Sequence, residues 1–270
     1  GLTACNNKLD EAPKADQVPE NAVRITAGIG NPFAATRSMP LGTEEEQGKF
    51  NVGDEIFVAR KENSDIKEYA IYRFDGSVWT PKDGKYLLWV KDRIDLEAFY
   101  PAEVGLKALK GEVPDLQTDQ STKENIAKAD YMAIELKQVK KTDQALNLEM
   151  KRLTSRFIVK IAGFNSEFPA DAKVENVKFI HGAFTPYAEG DGKTGSTYTV
   201  LIPDANLVFD ISLAVGDKTM TAKLPGSSFE QGKSYTYHLT VGKEKLETTE
   251  VTVSDWTDSA VIQGGEAKAN

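Results

Sequence analysis

Apolar and polar residues alternate with a period of two along most of this chain. Val23, Ile25, Ala27 and Ile29 alternate with Arg24, Thr26 and Gly28. Short apolar-rich runs follow at 55–60, 69–74, 86–91, 96–100 and 131–136, and Asp75-Gly76 and Asp83-Gly84 supply turn chemistry between several of them. The rhythm returns in Phe157, Val159 and Ile161, then in Leu207, Phe209, Ile211, Leu213 and Val215. It recurs in Tyr235, Tyr237, Leu239 and Val241, and ends in Val251 and Val253. Such spacing puts one apolar face on each half-buried antiparallel strand. Residues 102–129 are more polar, with weak helical or loop character, and no long segment repeats at 3.6. The pattern predicts an all-β protein built from two tandem antiparallel β-sandwich domains, with a seam near residues 145–157.

Length agrees with two domains of ordinary size, placed at 22–150 and 151–270 behind a leading segment at 1–21. Apolar residues make up 40% and charged residues 27% of the 270 positions, the balance of a globular protein. Net charge is −8, which argues against nucleic acid as a partner and against a basic patch on anionic lipid. No apolar stretch is long enough to cross a bilayer. With one cysteine and two histidines, His181 and His238, the chain offers neither a disulfide framework nor a multi-cysteine zinc site, and no cofactor or metal is expected.

The single cysteine, Cys5, follows Leu2-Thr3-Ala4. That tetrapeptide matches the lipobox of bacterial lipoprotein precursors, in which the thiol receives a diacylglyceryl group and the chain is cut just before it. The expectation is that Gly1 replaces a removed signal peptide and that Cys5 ties the protein to a lipid bilayer. Residues 6–21 are polar and punctuated by proline, and read as a tether with a reach of about 20–25 Å.

Little in the chain points to catalysis. Gly192-Lys193-Thr194 lacks the earlier glycine and the following helix of a phosphate loop, so it reads as a loop between strands. Gly28-Ile29-Gly30 lacks the third glycine of a dinucleotide fingerprint. His238 falls on the polar face of its strand, while His181 follows Phe179 with inward parity; both read as structural. Glu44-Glu45-Glu46 reads as solvated loop charge. Trp79, Trp89, Tyr69, Tyr72 and Tyr86 could line a sugar-binding face, which makes a lipid-anchored glycan-binding module the alternative function; packed aromatic filling is the simpler account.

Several segments together resemble a known family. They are the lipobox; Thr36-Arg37-Ser38 ahead of Gly53-Asp54-Glu55-Ile56; Phe99-Tyr100-Pro101; Asp119-Gln120-Ser121 leading to Ala129-Asp130-Tyr131-Met132; Tyr198-Thr199-Val200-Leu201-Ile202-Pro203; and Gly232 to Thr240, followed by Trp256. In order and spacing they are similar to the fimbrillin-like lipoproteins of Bacteroides and Porphyromonas type, the subunits and anchors of surface pili that mediate adhesion. The resemblance implies transthyretin-like sandwiches, no enzymatic activity, and an outer-membrane or cell-surface location. It implies other pilus subunits and an arginine-specific protease as partners. It also implies a mechanism: the protease cuts after Arg37, eight residues past Ile29, and the lipidated strand carrying Val23, Ile25, Ala27 and Ile29 leaves. A strand from another subunit then fills the groove. The candidate donor carries Val251, Val253, Trp256, Val261 and Ile262.

Overall fold

Strand formation follows the two-residue periodicity in the computed structural model, which describes residues 18–29, 49–203, 206–226, 228–242, 246–255 and 259–262. The first unit contains β1 (Ile25–Ile29), β2 (Glu55–Glu62), β3 (Asp65–Phe74), β4 (Trp79–Pro81), β5 (Arg93–Tyr100), α1 (Ala102–Leu109), α2 (Lys123–Lys128), β6 (Met132–Lys140) and β7 (Leu146–Arg152). Its strands form a seven-stranded sheet in the order β1-β7-β6-β5-β2-β3-β4. The strands at the two ends of that order, β1 and β4, touch, so the sheet curls around one core that includes Ile56, Tyr72, Trp79, Trp89, Leu96 and Met150.

The second unit contains β8 (Ser155–Phe164), β9 (Glu175–Phe179), β10 (Tyr187–Glu189), β11 (Thr197–Ile202), β12 (Asp210–Val215), β13 (Lys218–Lys223), β14 (Lys233–Val241), β15 (Leu246–Asp255) and β16 (Ser259–Ile262). Six strands in the order β10-β11-β8-β14-β15-β16 lie opposite three in the order β13-β12-β9. Aromatic rings fill the space between these sheets. Phe157 stacks on Phe209 with centroids 4.2 Å apart, and Phe229 meets Phe157 edge-on at 4.7 Å, arrangements favoured by the ring quadrupoles. The all-β sandwich reading therefore holds. Two pairings are parallel rather than antiparallel, β1 with β7 and β14 with β8.

Local chemistry accounts for several elements. At Asp75-Gly76 and Asp83-Gly84 both glycines have positive φ. The Asp75 carboxylate accepts from the N–H groups of Ser77 and Val78, and that of Asp83 accepts from Lys85 N–H. β2 shows no alternation: Ile56 to Arg60 are all buried. Ile56 and Val58 face the main core, while Phe57 and Ala59 face Ala102 and Leu106 of α1. Gly105 permits that approach, because a Cβ there would overlap the Phe57 side chain.

The apolar run at 86–91 is not a strand. It serves instead as a backbone partner for the chain ahead of β1: Val23 N–H donates to Leu87 O and Trp89 N–H to Asn21 O, each at 2.7 Å. The run at 207–215 becomes a strand only from Asp210. Among the described residues, no helix is long and apolar enough to cross a membrane.

The segment 117–131 joins the two units. Gln120 is fully buried; its side-chain amide accepts from Leu201 N–H and donates to Leu201 O, both at 2.8 Å. β10 pairs only with residues 197–199 of β11, so Gln120 takes the place that another strand residue would occupy beside Leu201. Ile126 and Ala129 pack on Leu201 nearby. Thr122 caps α2 by accepting from Asn125 N–H.

Candidate functional site: the first strand and its groove

The apolar positions of β1 and its approach all point into the first core. Val23 is 0% exposed, and Ile25, Ala27 and Ile29 are buried beside it, whereas Thr26 faces solvent. Burying three β-branched aliphatic side chains is worth about 5–9 kcal/mol, at about 1.5–3 kcal/mol each. Among the described residues β1, as a strand, pairs on one side only. It runs parallel to β7, with Ile25 opposite Leu146, Ala27 opposite Leu148 and Ile29 opposite Met150.

β7 depends on that pairing. Its other neighbour, β6, meets it only at Met132–Arg152 and Ala133–Lys151. Leu148 and Met150 are buried in the same core as β1. The alternation of Leu146, Leu148 and Met150 is a strand signal legible in the sequence, at the place where the periodicity above puts only a seam between domains. Tyr72 fixes the start of the strand. Its fully buried hydroxyl donates to Val23 O at 2.6 Å and accepts from Leu87 N–H at 3.2 Å. Burial pushes the phenol well above its ordinary pKa, so it stays protonated and able to donate.

The carboxyl end of β7 is held by charge. Arg152 makes a bidentate contact with the fully buried Asp130, Nε to Oδ1 at 3.0 Å and Nη2 to Oδ2 at 3.1 Å. Burial pushes Asp130 upward, against the pull of Arg152 and then Arg156. Arg156, also buried, is pushed down to about 9 by burial, with repulsion from Arg152 second. Leu153 N–H donates to Tyr131 O at 2.8 Å beside the ion pair.

Where the chain re-enters the described structure, Phe50 packs edge-on against Trp79 at 5.2 Å and against Tyr100 at 5.4 Å. Asp54 holds this turn, accepting from Asn51 N–H at 2.6 Å and from the Tyr100 hydroxyl at 3.3 Å. Burial lifts the Asp54 carboxyl to about 6.

Other expected site residues fall elsewhere. Cys5, Arg37, Glu44–Glu46 and Trp256 lie outside the described residues. The candidate donor segment has two parts. Val251 and Val253 sit on β15, which is hydrogen-bonded to β14 on one side and β16 on the other. Val261 and Ile262 sit on β16, at the edge of the sheet. The aromatic platform does not form: Trp79, Trp89 and Tyr72 are core residues, with Tyr86 packed against them, and only Tyr69 is exposed. The inward parity assigned to His181 also fails. Its side chain is 75% exposed and its Nδ1 lies 2.9 Å from Asp210 Oδ2, because the chain turns through left-handed conformations at Ile180, His181 and Gly182. Gly192-Lys193-Thr194 is a loop between β10 and β11, as expected. Among the described residues, no cluster of three or more His, Cys, Asp or Glu is placed to hold a metal ion.

The model of the fimbrillin-like proteins matches residues 43–256. The chain belongs to the fimbrillin-like family. No curated protein sequence matches this fimbrillin-like chain, but its fold recurs in solved structures. A candidate cell adhesion protein of Bacteroides uniformis is 14% identical, with a TM-score of 0.55, 87% of this chain covered and 98% of that one. A candidate cell adhesion protein of Bacteroides ovatus is 13% identical, with a TM-score of 0.55 and coverage of 93% and 98%. A fimbrial protein of Bacteroides ovatus is 18% identical, with a TM-score of 0.52; 92% of this chain is covered but only 55% of that one. At these identities the likeness is one of fold.

Proposed function

We propose that this fimbrillin-like chain is a structural subunit of surface fimbriae that mediate cell adhesion, exported as a lipoprotein acylated at Cys5 and held at the outer membrane. An arginine-specific protease cuts after Arg37, and β1 leaves with the lipid. A strand from another subunit, carrying side chains equivalent to Val251, Val253, Trp256, Val261 and Ile262, then fills the groove along β7. The units at 22–150 and 151–270 act as tandem domains, the first receiving a strand and the second donating one. The observation that carries this reading is the pairing of β1: an edge strand with its apolar residues in the core, bonded along one side to a strand that has little other support. Removing it uncovers apolar surface and an open strand edge together, the two requirements for strand addition.

The test is limited digestion of the purified chain with an arginine-specific protease, followed by intact mass and size-exclusion analysis. The expected result is one early cut after Arg37, then loss of the N-terminal fragment and growth of higher-order species. Early cuts within the body, or a cut after Arg37 whose product stays monomeric at high concentration, would refute polymerisation by strand exchange.

A further inference from the structure

The slot that β1 occupies has a second wall at one end. Ahead of the strand the chain runs antiparallel to residues 87–89, with Ala22 opposite Leu88. Val23 N–H donates to Leu87 O and Trp89 N–H to Asn21 O, each at 2.7 Å. Tyr72 completes this wall from β3: its hydroxyl donates to Val23 O at 2.6 Å and accepts from Leu87 N–H at 3.2 Å. One residue later the chain addresses its other neighbour. Leu146 N–H donates to Arg24 O at 2.8 Å, and the pairing with β7 begins at Ile25. Val23 and Arg24 are thus held from opposite sides. Towards Ile29, strand pairing comes from β7 alone among the described residues.

The three bonds that this wall makes to the entering segment all reach backbone atoms: Asn21 O, Val23 N–H and Val23 O. They therefore accept any side chain, but not any backbone. Proline at the place of Val23 has no N–H to give Leu87 O, and a segment that begins only at Arg24 leaves the wall without partners. The wall is also buried, with Val23, Leu87 and Tyr72 at 0% exposure and Trp89 at 3%. When the segment withdraws, Leu87 O, Trp89 N–H and the Tyr72 hydroxyl lose their partners together, and unpaired buried polar groups cost free energy. The wall lies by the start of β7, near Leu146, whereas the chain leads on towards Arg37 from Ile29, opposite Met150. A segment freed on the Ile29 side peels from there, and the two-walled end is the last to open.

We infer that Tyr72 and residues 87–89 form a backbone-reading clamp that decides which extended segments can occupy the slot beside β7. An occupant must span the equivalents of Asn21 to Ile29 and must carry an N–H at the place of Val23. Tyr72 is the positioning residue, joining both sides of the clamp through one hydroxyl. β1 meets both conditions; that they also govern an incoming strand rests on the strand exchange proposed above. The test is amide hydrogen exchange, resolved by residue, on the intact and uncut chain. In the parent, residues 21–23 and 25–29 open together as one unit. Tyr72→Phe raises exchange across 21–29 and 87–89 about tenfold, the worth of one buried hydrogen bond, beyond any rise at Val58 and Ala98, which sit on central strands and report global unfolding. Tyr86→Phe, which strips the hydroxyl from the adjoining ring, does not. Val23→Pro raises exchange at 25–29 well beyond Val23→Ala, since both shorten the side chain and only proline removes the N–H. The clamp is overturned if residues 21–23 exchange freely while 25–29 stay protected in the parent. It is equally overturned if Tyr72→Phe acts no more strongly at 21–29 than at Val58 and Ala98, if Tyr86→Phe matches it, or if Val23→Pro matches Val23→Ala. Each of these measurements is made without cleavage, so a chain that resists cutting after Arg37 refutes strand exchange and still reports on the clamp.

Discussion

Substituting Ile25 and Ile29 by alanine, one at a time, measures how firmly the first strand is held. Both side chains are nearly fully buried among Met150, Trp79 and other core residues, and removing three carbons from such a position leaves a cavity. Each substitution therefore costs about 2–5 kcal/mol. Thr26→Ala, on the solvent face of the same strand, costs under about 0.5 kcal/mol and controls for strand propensity. Urea denaturation followed by tryptophan fluorescence is the suitable assay, since Trp79 and Trp89 both lie in this core. With a urea dependence of about 1–3 kcal/mol per molar, a 3 kcal/mol loss moves the midpoint by about 1–3 M. If Ile25→Ala and Ile29→Ala shift the midpoint no more than Thr26→Ala does, β1 is not a core element and its removal would open no groove.

Asp54 gives a pH test. Its folded pKa of about 6 exceeds the ordinary carboxylate value, so the folded state binds the proton more tightly than the unfolded chain. Its contribution to stability rises as pH falls from about 7 to about 4, and above that window the buried charge is a cost. Asp54→Asn should be more stable than the parent at pH 8, by about 1–2 kcal/mol once solvent screening trims the full displacement. That advantage should vanish by pH 4; thermal melts of both proteins across the range check it. Asp130→Ala removes the carboxylate from a buried ion pair and should cost about 3–5 kcal/mol, read from the same urea midpoints. Gln120→Ala leaves the Leu201 N–H and C=O without the amide that satisfies them, for a loss of about 2–4 kcal/mol; Gln120→Glu, which cannot donate when ionised, recovers little of it. Gly105→Ala gains about 1 kcal/mol of helix propensity but drives a methyl into Phe57, whose ring is stacked on Tyr69 at 4.9 Å. The net effect should be a lower melting temperature.

Period-two patterning was legible wherever one face of a strand is wet. Tyr235 to Val241 became β14 and Phe157 to Ile161 became β8 because each keeps a polar side. β2 was found as an apolar run, but its burial on both faces was not, since that depends on α1 crossing it. The run at 86–91 reads as a strand because its apolar residues do pack in the core, yet its hydrogen bonds go to residues 21–23 and to the Tyr72 hydroxyl rather than to a neighbouring strand. β9 and β10 are short and carry weak apolar signals, so periodicity does not reveal them. The inward direction of β1 was legible from Val23, Ile25, Ala27 and Ile29. Its parallel pairing with β7 was not, because register between segments more than a hundred residues apart is set by the whole sheet.

The groove and the ion pair at its end bear on each other. If β1 leaves, β7 loses its main partner, and a strand held at neither end would collapse onto the exposed core and close the groove. Here its carboxyl end stays fixed three ways: by Met132 and Ala133 of β6, by the Leu153–Tyr131 backbone bond, and by Arg152 on Asp130. Asp130 follows directly from the Ile126–Ala129 contact with Leu201 of the second unit. The segment that couples the units thus also anchors the strand that would receive an incoming partner. A rigid β7 lowers the ordering cost an incoming strand must meet. Asp130→Ala should accordingly slow capture of an added strand peptide by the Arg37-cleaved protein more than its stability loss alone predicts, and equal capture rates at matched folded fractions would refute that anchoring role.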